Sequence, residues 1–162
     1  MSQSPWWKGE RGEWYVVGQF VLFGLIALAP LANWGGAGWP APWGWAARIA
    51  GVLLAAAGGA LGLAGLMGLG RNLSVLPHPL DDAQLVEYGA YRLARHPIYG
   101  GLLMGAFGWG LLMNSGWALL FAAALLGWFE LKTRREEARL AEKFAGYADY
   151  RRRTKKFFPR IY

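Results

Sequence analysis

"AARIAGVLLAAAGGALGLAGLMGLG", residues 46–70, is 25 residues long and carries one charge, Arg48, near its start. Its alanines and leucines favour a helix, and at 1.5 Å per residue that helix exceeds the roughly 30 Å of a bilayer's hydrocarbon core. Working outward, residues 14–32 give a second uncharged run of 19. Beyond the central run, 97–113 and 117–129 are shorter, about 25 and 20 Å as helices, and are joined by the turn-forming Asn114-Ser115-Gly116. This pattern predicts an all-α integral membrane bundle of about four transmembrane helices with a cytoplasmic C-terminal helix, in one domain over 1–162. The last pair forms a hairpin. Because the turn blocks lengthening of the fourth helix at its start, the helix is expected to run on through Glu130 and Lys132.

Composition agrees with a membrane protein and excludes several functions. Of 162 residues 55% are apolar and 15% aromatic, with 24 Gly and 10 Trp, unlike an ordinary soluble domain. With no Cys there is no disulfide framework, thiolate metal site or cysteine nucleophile. Two histidines, His78 and His96, are too few for a metal cluster, so no metal is expected. The first apolar run has no small-residue cleavage site after it and is read as a retained helix rather than a signal peptide.

Basic residues set the orientation. Lys8 and Arg11 precede the first run, Arg71, Arg92 and Arg95 lie between the second and third, and eleven of the 17 Lys and Arg follow Phe129. Only Arg48 is left for the other side, which places both termini in the cytoplasm, with the inner membrane as location. The opposite loop, "NWGGAGWPAPWGW" (33–45), is uncharged and rich in Trp, the residue that anchors at headgroup level. Gly58 with Gly62, Gly101 with Gly105, and Gly51, Gly65 and Gly68 supply small surfaces for close helix packing, within one chain or between two copies. The spacing leaves the oligomeric state open.

Polar segments carry what remains. In the inner loop (71–97) Pro77 and Pro79 stiffen the chain, Asp81 and Asp82 mark a turn, and His78 has no evident partner. Pro97 suits the first helical turn, where its missing N–H costs nothing. The N–H groups after it, with Arg95 and His96, would favour an anionic group at that helix start. The alternative is that these bases only fix topology. In the tail (129–162), Glu137, Leu140, Ala141, Phe144 and Tyr147 fall at helical three- and four-residue spacings and share one face. Glu136 has ordinary partners in Lys132 or Arg139, and Glu137 has Arg134 one turn before it. The cluster Arg151, Arg152, Arg153, Lys155 and Lys156 most simply meets anionic headgroups; nucleic acid is not an expected partner of a chain committed to a bilayer.

Two stretches carry a resemblance. "GAYRLARHPIYGG" (89–101) resembles the G-x-Y-x-x-x-R-H-P-x-Y signature of the isoprenylcysteine carboxyl methyltransferase and phospholipid methyltransferase superfamily, and "EEARLAEKFAGYADY" (136–150) resembles its partner motif E-E-x-x-L-x-x-x-F-x-x-Y-x-x-Y. The similarity covers about 70–160, and Ala145 stands where many relatives have Gly. No G-x-G-x-x-G strand-to-helix unit points to a soluble methyltransferase fold. The resemblance implies S-adenosylmethionine as cofactor, bound on the cytoplasmic side between the motifs. By charge and helix-terminus geometry Arg95, His96 and the N–H groups after Pro97 would face its carboxylate. Glu136 or Glu137 would accept from its ammonium or ribose hydroxyls. Tyr91, Tyr99 and Tyr147 would offer rings to adenine or the sulfonium.

Methyl transfer needs alignment and exclusion of water more than a covalent nucleophile. A carboxylate acceptor needs no base; a thiol or protonated amine does, and Glu130, at the membrane border, is the candidate. A lipophilic or lipid acceptor would arrive sideways from the bilayer. The same architecture includes NADPH-dependent sterol reductases, the nearest rival, against which the short chain and adjacent Glu136-Glu137 speak. A non-catalytic membrane factor that kept the pocket is the other.

Overall fold

A computed structural model describes residues 12–31, 39–70 and 84–162. Lys8, Arg11, Arg71, Pro77, His78, Pro79, Asp81, Asp82 and the first part of the Trp-rich loop, singled out above, lie outside the described residues. The rest is helical: α1 (Glu13–Leu28), α2 (Trp43–Leu69), a 3-10 turn (Gly89–Arg92), α3 (Pro97–Leu112), α4 (Gly116–Lys143) and α5 (Tyr147–Arg153). No strand forms among the described residues, though Ala94 and Lys155 make one isolated parallel bridge.

Of these helices α2, with 27 residues, is long and apolar enough to cross a membrane by itself. α1 and α3, 16 residues each, are shorter apolar helices. The expected hairpin is present. Ser115 caps α4 by accepting from the Ala118 N–H at 3.2 Å, and Asn114 takes a positive φ of 50° in the turn. α4 runs 28 residues, well past Glu130 and Lys132, apolar in its first half and charged in its second.

α2 and α3 lie antiparallel along glycines, in a register wider than the paired spacings suggest. A Cβ at Gly51 would lie 2.6 Å from the Gly108 carbonyl oxygen, one at Gly58 2.7 Å from that of Gly101, and one at Gly65 2.9 Å from Ile98. Recurrence every seven residues keeps these glycines on one side of α2, so backbone packs on backbone where water cannot drive association. A Cβ at Gly105 would meet nothing.

α1 leans on α4: the Trp128 ring covers Gly18, and its indole N–H donates to the Tyr15 carbonyl at 2.9 Å. Between α1, α3 and α4 lies the core of Ile26, Leu103, Ala106, Ala122, Leu125 and Phe129, joined by Phe157 from the tail. Large apolar side chains such as Phe20, Leu53, Leu63 and Met67 point outward instead, the arrangement of a protein solvated by lipid.

The tail departs from the expected single stripe. α4 stops at Lys143, Phe144 is extended (φ −118°, ψ 111°), and α5 begins after Gly146. Tyr147 therefore belongs to another helix, and Ala141 is exposed. Burial of Tyr147 and Tyr150 turns the chain back: the Tyr150 hydroxyl donates to the Tyr91 carbonyl at 2.7 Å. Residues 154–158 then run beside the start of α3, with the Arg95 N–H on the Lys155 carbonyl (2.8 Å) and the His96 N–H on that of Lys156 (2.9 Å).

Candidate functional site

Three pieces of chain meet where α3 begins, α4 ends and the tail returns. His96 caps α3 and Pro97 occupies its first position, so the ring's preset φ aims the chain from the 3-10 turn into the bundle. The Arg95 Nε donates to Glu137 Oε1 at 2.9 Å, its Nη1 to the Arg151 carbonyl at 3.1 Å, and the same Nη1 to the Thr154 carbonyl. His96 Nε2 lies 3.1 Å from that same Glu137 oxygen, and its Nδ1 lies 4.0 Å from Glu136 Oε1. Arg151 Nε stands 3.6 Å from the second Glu137 oxygen. Glu137 reaches across to α3 rather than to Arg134, and Glu136, besides acting on Lys132 as its spacing suggested, accepts from the Tyr99 hydroxyl at 3.2 Å.

These contacts set protonation. Burial by itself would raise the Glu137 carboxyl, but hydrogen bonds and charge from His96, then Arg95, outweigh it and hold the group down at about 2. Burial pushes the phenols of Tyr91 and Tyr147 up, assisted by Glu136 and Glu137 respectively, so both stay protonated. Tyr147 is almost wholly enclosed, yet its hydroxyl has no hydrogen-bond partner among the described residues. Burial raises the Glu130 carboxyl too, and is outweighed by Lys156, whose Nζ donates at 2.7 Å, with Arg134 and the Tyr162 hydroxyl adding contacts at 3.3 Å each. A carboxylate so held is a weak proton acceptor.

An open cleft of about 420 Å3 runs along this junction. Of the site residues expected from sequence, Arg95, Glu130 and Glu137 line it, joined from the tail by Arg151 and Lys156, expected at the headgroups, and by Thr154 and Tyr162. Tyr91, His96, Pro97 and Tyr147 are buried behind that wall. Tyr99 and Glu136 are partly buried and lie on the His96 side, the Tyr99 ring stacked on the imidazole with centroids 5.6 Å apart. The first turn of α3 is not open to the cleft. Ile98 and Pro97 pack on α2 at Gly65, and a Cβ at Gly100 would strike the Phe157 carbonyl, so the expected anion site of free N–H groups is covered by protein. Sequence reasoning missed the cleft's tail residues and the buried contact between Gln19 and Lys132, because each depends on pairings distant in sequence.

The chain thus defines a class: a helical, membrane-associated protein with an arginine- and carboxylate-lined cleft where its two polar motifs join. Its sequence matches the family described as phospholipid methyltransferase over residues 46–146. More than half the chain lies within that match, and the protein belongs to this family. It is 33% identical over 151 residues to the cobalt-zinc-cadmium resistance protein CzcN of Cupriavidus metallidurans, covering 93% of this chain and 63% of that protein. It is 35% identical over 81 residues to the nickel-cobalt-cadmium resistance protein NccN of Alcaligenes xylosoxydans xylosoxydans, covering 49% of this chain and 38% of that one. The chain spans under two thirds of the length of these curated relatives.

Proposed function

We propose that the protein is a single-domain integral membrane methyltransferase that uses S-adenosylmethionine and acts on a lipophilic acceptor at the cytoplasmic face. Four crossings with both termini inside, by the distribution of basic residues, complete the reading. The observation that carries it is the shared Glu137 oxygen, which binds Arg95 and His96 of one motif to the other beside a cleft of ligand size, about 300–1,000 Å3 being usual.

The residues present suit the cofactor. Arg95 and Arg151 offer cations to a carboxylate, Glu137 and Glu130 offer acceptors to an ammonium or ribose hydroxyls, and the buried Tyr147 hydroxyl has no partner among the described residues. When bound, S-adenosylmethionine supplies a methyl group on a positively charged sulfonium. The chain's own work is positional. Tyr99 and Glu136 fix the imidazole of His96, His96 and Arg95 fix Glu137, and the tail closes the far wall. Tyr91 and Pro97 support that frame from behind. Glu130, held by Lys156, serves as cleft wall and tail anchor rather than as proton acceptor.

Calorimetry on the detergent-purified chain with S-adenosylmethionine, S-adenosylhomocysteine and NADPH tests this. Micromolar-range binding of the adenosyl ligands is expected, weakened at least tenfold, about 1.4 kcal/mol, by Glu137→Ala or His96→Ala. Binding of NADPH alone would point to a reductase, and no binding to a scaffold. Mass spectrometry of lipids from cells with and without the gene names the acceptor. Because the relatives are named for metal resistance, the same strains belong on cobalt, zinc and cadmium, with Glu137→Ala showing whether any tolerance needs the site.

A further inference from the structure

The returning tail brings more positive charge to the cleft than the carboxylates there balance. Six cationic side chains line it, Arg95, Arg151, Arg152, Arg153, Lys155 and Lys156, against two carboxylates, Glu130 and Glu137. The inner cations are engaged by those carboxylates, Arg95 with Glu137 at 2.9 Å and Lys156 with Glu130 at 2.7 Å. Toward solvent, Arg152 pairs with Asp149, and Arg153 with Glu87 at 2.9 Å. Counting these two acids as well, six cations face four carboxylates, and Arg134 adds another cation on Glu130. Glu136 does not alter the balance, because it sits on the Tyr99 side of α4 and acts there on Lys132.

The surplus lies at the rim. Arg151 and Lys155 are exposed, and Arg151 Nε stands 3.6 Å from a carboxylate that Arg95 and His96 already hold. S-adenosylmethionine does not neutralise it. That donor bears a sulfonium, an ammonium and one carboxylate, a net positive charge, whereas S-adenosylhomocysteine has lost the sulfonium charge and is neutral overall. A cleft walled by one sign of charge focuses its field, so the surplus works against the donor and not against the spent product. An anion at the rim reverses that.

Apolar side chains at the same place select the kind of anion. Ile161 and Tyr162 line the cleft and are exposed. On α4, Leu120, Gly127 and Leu131 are exposed at seven- and four-residue intervals, one apolar face that ends one residue past Glu130. A phosphate carrying hydrocarbon meets both the cations and these apolar groups; a free phosphate meets only the cations. Lys and Arg clustered next to a span attract the anionic lipids of the inner leaflet.

We propose that the rim of Arg151, Arg152 and Lys155, with Ile161 beside it, holds the headgroup of an anionic phospholipid, and that this lipid favours binding of the cationic donor over its neutral product. The lipid is a bound partner rather than the acceptor: phosphatidylglycerol has no amine, thiol or carboxylate to methylate. This deepens the methyltransferase reading of the same cleft and, for the donor, rests on it. By linkage, whatever the lipid adds to donor affinity the donor adds to lipid affinity.

The test uses the full chain. In neutral detergent, native mass spectrometry with phosphatidylglycerol, phosphatidylcholine and glycerol phosphate as probes should show phosphatidylglycerol held more tightly than phosphatidylcholine by on the order of tenfold. Arg152→Gln/Lys155→Gln, two exposed positions whose loss spares the fold, should remove that preference. In phosphatidylcholine nanodiscs, adding phosphatidylglycerol should then tighten S-adenosylmethionine relative to S-adenosylhomocysteine by about fivefold, and by less in the double variant, which still feels the general attraction of an anionic membrane for a cation. Equal retention of the two lipids by the wild type overturns the proposal, as does an unchanged preference in the folded double variant. Glycerol phosphate binding as tightly as phosphatidylglycerol overturns the lipid as occupant, and a donor-to-product ratio that ignores phosphatidylglycerol overturns the coupling. Failure of S-adenosylhomocysteine to bind the wild type in either nanodisc, with the lipid preference intact, refutes the donor assignment instead and leaves the lipid site supported.

Discussion

One oxygen of Glu137 accepts from Arg95 Nε at 2.9 Å and lies 3.1 Å from His96 Nε2, contacts that span 42 and 41 positions of sequence. Neither motif alone supplies a satisfied carboxylate here, so the junction forms only when α4 reaches α3. Removing one partner of a buried charged group leaves the others uncompensated, at about 3–5 kcal/mol. Glu137→Ala should lower stability by about 3 kcal/mol in denaturant titrations followed in detergent. Arg95→Lys should not behave as wild type, because a single ammonium cannot serve Glu137 and the tail carbonyls with one planar fork. Near-wild-type unfolding of both variants would remove the junction from the account of stability.

The same carboxylate gives an acid dependence whose sign is fixed. Glu137 titrates at about 2 when folded, against an ordinary 4.5, so the unfolded chain binds more protons between these values. The stabilisation is complete above the ordinary value and is lost as pH falls through the folded one, from about pH 5 toward 2. The thermal midpoint should drop across that window and drop less steeply in Glu137→Gln, which has no proton to take up. Equal slopes in the two proteins would assign acid sensitivity to other groups.

How much of this was legible follows from how far each contact reaches. The hairpin and the α4 overrun could be read from run length, Pro97 and Asn114-Ser115-Gly116, all local signals. The meeting of the two motifs could be expected because a short hairpin returns the chain to where it started. The Ala94–Lys155 bridge and the Gln19–Lys132 contact, 113 positions apart, have no local signature. Tyr147 was placed on the wrong helix for a related reason. Nothing in "KFAGY" except Gly146 disfavours helix, and the break at Phe144 comes from the Tyr150–Tyr91 contact that turns the chain back.

Where α2 meets α3, added volume has nowhere to go. A Cβ at Gly101 would lie 2.5 Å from the Gly58 carbonyl oxygen and 2.7 Å from the Gly62 nitrogen. Both neighbours are backbone, so the helices must separate, at about 1–3 kcal/mol. Gly101→Ala and Gly58→Ala should each destabilise by that amount. Gly105→Ala, whose Cβ would meet nothing, should be neutral or slightly stabilising through helix propensity. Thermal unfolding of the three variants side by side checks this, and equal effects would mean that the two helices are not packed along this seam.

Glu130 gathers Lys156, Arg134 and Tyr162, which makes it an anchor for the returning tail. The N–H groups of Phe157 and Phe158 turn back to the Tyr162 carbonyl at 2.8 and 2.7 Å. Glu130→Gln should therefore speed hydrogen exchange at residues 157 and 158 and weaken S-adenosylhomocysteine binding severalfold, while leaving the acid limb of any methylation pH profile in place. A base lost from the reaction would instead lower the rate with the tail still protected.

The four-crossing arrangement predicts opposite exposure at the two ends of α4. Gly116 opens α4 at the turn, exposed and with open space around an added Cβ, and Arg152 lies in α5 beside the cleft. The chain has no Cys, so single cysteines introduced at these positions report without background. In intact cells an impermeant maleimide should label Gly116→Cys if the turn is outside, whereas Arg152→Cys should label only once the inner face is opened. α4 is 28 residues, about 42 Å at 1.5 Å per residue, enough to carry its charged half clear of the hydrocarbon with its capped start on the far side. Labelling of both cysteines from the same face would mean that the α3–α4 hairpin dips into the bilayer and returns. The cleft geometry would survive that result, but α3 and the apolar first half of α4 would then be re-entrant rather than spanning.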